Sequence, residues 1–177
     1  MKKRAQRLCA LAFALCIMAS TSAFAADINS SGETGNAPIT LNVTAATFSV
    51  TVPATLAFSV AADGTVTPPT GAKIVNNGNG PVDITNVKLA GANGWSIKAW
   101  ANDSFKSTPI GTKEMMLKMQ GTAFGADGTY AGSVKGATIN GKDNLALTFD
   151  ADFAEQSGAV NGTIATITFT IGWHVAS

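Results

Sequence analysis

The residues of this chain that could do chemistry are few and scattered. The single histidine, His174, sits near the C-terminal end on the polar side of an alternating segment. Asp150, Asp152 and Glu155 in "FDADFAE" form the only acidic cluster. Their spacing matches part of a calcium loop, where carboxylates supply the hard oxygen ligands that the ion requires. The turn glycine and the remaining ligands of such a loop are missing. A glycosidase would need two of these carboxylates held across a scissile bond. No G-x-S-x-G elbow, phosphate loop or H-E-x-x-H motif occurs. The expectation is a protein that is not an enzyme and needs no cofactor, with Asp150, Asp152 and Glu155 as its one calcium candidate.

Aromatic residues offer a different chemistry. In "GWSIKAW", residues 94–100, a straight strand places Trp95, Ile97 and Ala99 on one face and Ser96, Lys98 and Trp100 on the other. The two indoles then point in opposite directions. Trp95 reads as core, because a large apolar ring contributes most when buried. Trp100 has polar company and is the better candidate for a contact residue. A sugar-binding surface would combine it with Asn102, Asp103 and Tyr130.

The N-terminus places this chemistry outside the cytosol. "MKKRAQR" is a basic region, "LCALAFALCIMA" an apolar one too short to span a bilayer, and "STSAFA" carries small residues at Ala23 and Ala25. Residues 1–25 therefore read as a secretory signal peptide, and no membrane span is expected once it is removed. Both cysteines, Cys9 and Cys16, leave with it, so no thiol nucleophile, disulfide or thiolate metal site is expected in the mature chain. All arginines leave too, and eight lysines then face 11 acidic residues. That balance argues against nucleic acid, which is read with arginine and held on basic stripes.

What must position the remaining residues is a set of strands. Residues 26–38, "ADINSSGETGNAP", read as a flexible polar leader. Period-2 alternation dominates from there to the end. Ile39, Leu41 and Val43 alternate with polar residues; past Ala45-Ala46 the apolar set becomes Phe48, Val50 and Val52. A one-residue slip turns a strand over, which predicts a bulge or a change of sheet. The phase slips again between Ile84 and Val87. "EMMLKMQ" is predicted as strand, and "LALTFD" alternates Leu145, Leu147 and Phe149. Asp63-Gly64, "GANG", "ADGT" at 126–129, "INGKDN" and "VNGT" are turn signals. "TIATITFTIGWHV" sets Ala165, Ile167, Phe169, Ile171, Trp173 and Val175 against Thr166, Thr168, Thr170 and His174, and is predicted to lie on the core. Many short strands without crossover helices predict an all-β antiparallel β-sandwich, Ig-like or jelly-roll-like, as one domain over residues 39–177.

"NGWSIKAW" and "TIATITFTIGW" also resemble the two motifs of the WxL-type surface domains of Gram-positive bacteria. Ile97 stands where leucine is usual, and Phe169 near the position of the usual second tryptophan. The resemblance implies non-covalent attachment to peptidoglycan, with Trp95, Ile97, Phe169 and Trp173 as the wall-binding motif residues. More broadly, the chain is similar to small secreted β-sandwich proteins of Firmicutes, including filament-forming and pilus-like subunits. Such subunits can donate an N-terminal strand to one another, and residues 39–52 would be the donor. The expectation is an exported, non-catalytic cell-surface protein, adhesive or structural, that binds peptidoglycan or another surface glycan. The alternatives are a filament subunit whose partner is a copy of itself, and a carbohydrate-binding module.

Overall fold

The structure, a computed structural model, describes residues 41–101 and 105–175. The expected signal peptide and polar leader lie outside those residues. The described chain is all β. In order, its strands are β1 (Val50–Thr51), β2 (Ser59–Val60), β3 (Val66–Thr67), β4 (Lys73–Asn76), β5 (Val82–Gly91), β6 (Ser96–Ile97), β7 (Glu114–Met119), β8 (Thr122–Ala123), β9 (Thr138–Ile139), β10 (Asn144–Ala146), β11 (Phe149–Phe153) and β12 (Ala165–Trp173).

Turns set the ends of these strands. Asp63-Gly64 closes the β2–β3 hairpin, with the Asp63 carboxylate accepting the Thr65 N–H at 2.9 Å. Asn93 and Gly94 both take positive φ, 52° and 82°, which turns the chain from β5 into β6. A turn with both central φ values positive is one that Asn-Gly adopts readily, here between strands of different sheets. The same geometry recurs at Gln120-Gly121 between β7 and β8, where no sequence signal marked it. Gln120 tolerates the left-handed backbone while its side chain bonds the Ala146 carbonyl and the Thr148 hydroxyl. Gly128 is required by space as well as by its φ of 77°, because a Cβ there would collide with the Leu89 carbonyl.

The strands form a sandwich-like stack of sheets with orders β1-β4-β10, β11-β7-β6 with β8 on β7, β12-β5-β9, and β2-β3. All pairs are antiparallel except β6–β7, which is parallel. Residues 144–153 serve two sheets: β10 pairs with β4, and β11 pairs with β7. The hand-over is at Leu147, whose N–H bonds the Ala72 carbonyl, and Thr148, whose carbonyl accepts from Gln120. Alternation of Leu145, Leu147 and Phe149 continues across this corner, so parity alone could not reveal it.

The phase slip in β5 is a β-bulge. Thr170 pairs with Asn86 and Ile171 with Ile84, leaving Thr85 without a partner opposite. Val82 and Ile84 before the bulge, and Val87 and Leu89 after it, thereby all face inward and are at most 2% exposed. The earlier slip has another outcome. Residues 41–49 form no strand, so the strand expected from residue 39 onward is confined, among the described residues, to β1.

Inside the unit Thr44–Ser177, buried Ile74, Met115, Leu117, Met119, Val134, Ile139 and Phe149 fill the centre. Phe58 meets Phe149 and Phe153 edge-on, and Phe153 meets Trp95 in the same way. Asn76, fully buried, ties the 77–81 loop to the chain after β9: its amide donates to the carbonyls of Gly80, Ile139 and Asn140, and its Oδ1 accepts the Gly78 N–H. Such a hub is stable only because every polar group has a partner.

Candidate functional site

The two tryptophans part company as parity requires. Trp95 is 7% exposed and Ile97 9%, both within the core. Ile97 offers a wall polymer almost no surface, and Trp95 only the part that lines a groove beside Asn93. Trp100 lies half-buried on the opposite face of the sheet, with the Lys118 ammonium 3.8 Å from its ring centroid. That cation–π contact occupies one face of the indole. Beside it, Lys98 pairs with Glu114 at 2.9 Å, and the Ala101 N–H reaches the Met116 sulfur. Asn102 and Asp103 lie outside the described residues. Tyr130 corrects the sequence expectation: it is 2% exposed, packs on Phe124, and donates its hydroxyl to the Met119 carbonyl, so it is no sugar platform.

The acidic cluster is likewise corrected. Asp150 and Asp152 lie on extended β11, opposite Lys118 and Met116, and Asp152 is bonded to the Phe153 N–H. A strand spreads such side chains along its length, whereas a calcium loop curls them round the ion. Among the described residues no three histidine, cysteine or acidic groups converge on a metal position.

His174 has found a partner that the sequence did not suggest. Its Nδ1 lies 3.0 Å from both carboxylate oxygens of Asp83, and the Thr138 hydroxyl donates to Asp83 Oδ1 at 2.6 Å. The Thr138 hydrogen bond, with help from His174, holds the Asp83 carboxyl below the usual carboxylate range. Strands β5 and β9 and the residue just after β12 thus contribute one polar row that fastens the end of β12.

The most distinctive surface is β12 itself. It pairs with β5 on one side and with no other strand among the described residues. The N–H of Leu89 points away from β12 to the Gly128 carbonyl, and that of Ile84 to the Ala137 carbonyl. Their partners Ile167 and Ile171 are therefore non-hydrogen-bonded pairs, whose own N–H and C=O groups point to the open edge. The same parity sends those of Ala165 and Phe169 outward. Natural edges are shielded by shortness, charge, proline or a bulge. β12 has 9 residues, "ATITFTIGW", with no charge and no proline, and the bulge lies on its partner. Its inward side chains Ala165, Ile167, Phe169 and Ile171 pack against the core, as the alternation predicted, yet stay half-buried.

At the C-terminal end of this edge, Trp173, 42% exposed, stands against Phe48, 48% exposed. Phe48 was not singled out from sequence; its position in a broken alternation was the only available signal. At the other end, the turn at Asn93 and the 159–164 loop enclose an open groove of about 320 Å³, lined by Asn93, Trp95, Lys113, Asn161, Thr163 and Ile164. Among the described residues no helix is long and apolar enough to cross a membrane. Scans of family models, of curated proteins and of solved structures each find no match to this chain.

Proposed function

We propose that this protein is an exported, non-catalytic structural protein of the cell surface that assembles with copies of itself by adding a strand to the open edge of β12. The supporting observation is the pairing of one long, uncharged edge strand, unpaired on its outer side among the described residues, with a half-covered apolar row. An added strand would satisfy the outward backbone groups and shade Ile167, Phe169 and Ile171 from water. The chain carries a suitable donor: Ile39, Leu41 and Val43 alternate with Thr40, Asn42 and Thr44, and residues 41–49 form no strand of their own. The N-terminal signal supports export. Attachment to peptidoglycan gains less support, because Trp95 and Ile97, two of its four motif residues, are buried.

The test is assembly of the mature chain, residues 26–177, followed by sedimentation and negative-stain electron microscopy. Polymers are expected, and they should vanish in the double variant Leu41→Asp, Val43→Asp. Ala165→Pro removes an outward N–H at the first strand position, where proline is tolerated, and should also weaken them. A chain that stays monomeric at high concentration overturns the proposal; co-sedimentation of that monomer with purified peptidoglycan would favour wall binding instead.

A further inference from the structure

The chain contains five Asn-Gly pairs, at Asn77, Asn79, Asn93, Asn140 and Asn161. Asn-Gly is the dipeptide most open to self-cyclisation, because no side chain on the second residue hinders its backbone nitrogen from reaching the asparagine Cγ. Folding decides which of them can react, since the reaction needs a free N–H and a backbone able to swing.

Four pairs are tied down. The Gly78 N–H donates to the Ser49 carbonyl and to Asn76 Oδ1, and Asn77 Nδ2 bonds the Thr51 hydroxyl. Gly80 lies beneath the Trp173 indole, and its carbonyl accepts from Asn76. Asn93 Nδ2 donates to the Thr163 carbonyl at 2.7 Å in a left-handed turn, with the Lys113 ammonium on its own carbonyl. Gly141 is pressed on the Asn79 backbone, and the Asn140 carbonyl accepts from Asn76 and from the Asp143 N–H.

Asn161-Gly162 has none of this. Both residues are exposed, lie outside any strand, and have no hydrogen bond among the described residues. Gly162 has φ 129°, and a Cβ built on it would meet nothing within 4 Å. Segments with few contacts and no backbone hydrogen bonds are the ones that open most easily.

We infer that Asn161 is a site of spontaneous covalent modification in the folded protein. The Gly162 backbone nitrogen bonds to Asn161 Cγ, the Cγ–Nδ2 bond breaks, and ammonia leaves with the proton from Gly162. Water then opens the succinimide. Opening at Cγ leaves an aspartyl residue, and opening at the other carbonyl leaves an isoaspartyl link that adds a methylene to the main chain. Either product puts a carboxylate on the wall of the groove that Lys113 also lines, a few residues before β12 begins. The inference does not depend on the assembly proposal.

The experiment incubates the folded protein in heavy-oxygen water at mildly alkaline pH and then digests it with trypsin. Cleavage after lysine separates peptide 143–177, with Asn161, from peptides 74–88, 89–98 and 136–142, which carry the other four pairs. Label is expected to enter 143–177 several-fold faster than any of the others. Asn161→Gln should abolish it, because glutamine would need a slower six-membered closure, and denaturant should bring all peptides to similar rates. Equal labelling of the folded peptides, earlier labelling of another one, or labelling that survives Asn161→Gln overturns the inference.

Discussion

The indole of Trp173 stands edge-on to the ring of Phe48, with centroids 5.1 Å apart and planes at 79°. This contact joins the end of the last strand to the segment just ahead of β1, so it anchors the chain a few residues after the proposed donor. An aromatic pair of this geometry contributes about 1 kcal/mol beyond the area it buries. Phe48→Ala is expected to lower the urea midpoint modestly, and the same change should be nearly silent when Trp173 is already alanine. A double-mutant cycle by urea denaturation measures that coupling.

Asn76 should be far less tolerant. Asn76→Ala removes the buried amide shared by three carbonyls and the Gly78 N–H, of which the Gly78 N–H keeps the Ser49 carbonyl and the Asn140 carbonyl keeps the Asp143 N–H. The expected loss is about 3 kcal/mol, from desolvated groups left unsatisfied. Chemical denaturation reads it directly, and Asn76→Asp should be no milder because it sets a carboxylate against those same carbonyls.

Tyr130 is the only tyrosine, so ultraviolet difference absorbance reports it alone. Burial raises its phenol above the ordinary value of 10.0. The folded pKa exceeds the unfolded one, so this contribution to stability is complete below pH 10 and is lost as pH rises through the folded pKa. The phenolate signal should appear later in the native protein than in denaturant. Tyr130→Phe, which deletes the bond to the Met119 carbonyl, should cost about 1 kcal/mol in urea denaturation.

Asp83 shifts the other way. Its carboxyl is held below the ordinary 3.8, first by the Thr138 hydroxyl and then by His174. Its stabilising contribution is therefore present above pH 3.8 and is lost as pH falls through the lower, folded pKa. Carboxyl-carbon NMR titration should show Asp83 among the last acids to protonate, and Thr138→Val should return it toward the ordinary value.

Much of the fold was open to reading from local pattern. Alternation and turn residues are properties of neighbouring positions, so β4, β7 and β12, the Asp63-Gly64 and "GANG" turns, and the slip that proves to be the Thr85 bulge could all be read along the chain. The opposite facing of Trp95 and Trp100 followed from the same two-residue period. Parity says which side a residue takes, but not what lies over that side. That is why Tyr130 was expected at the surface yet sits under Phe124, and why Ile167 and Phe169, rightly expected on the core, lie there only half-covered on an edge strand.

The linear chain by itself determined an all-β molecule whose two cysteines, Cys9 and Cys16, lie ahead of every strand, because hydrophobic period and residue inventory survive without any fold. The tertiary structure alone decided the rest. It moved residues 144–153 from one sheet to another, brought His174 to Asp83 across 91 positions, and tied down four of the five Asn-Gly pairs while leaving Asn161 exposed. Strand pairing is set by contacts between distant segments, and only those contacts determine which edge, which ring and which amide remain for the solvent or a second copy to reach.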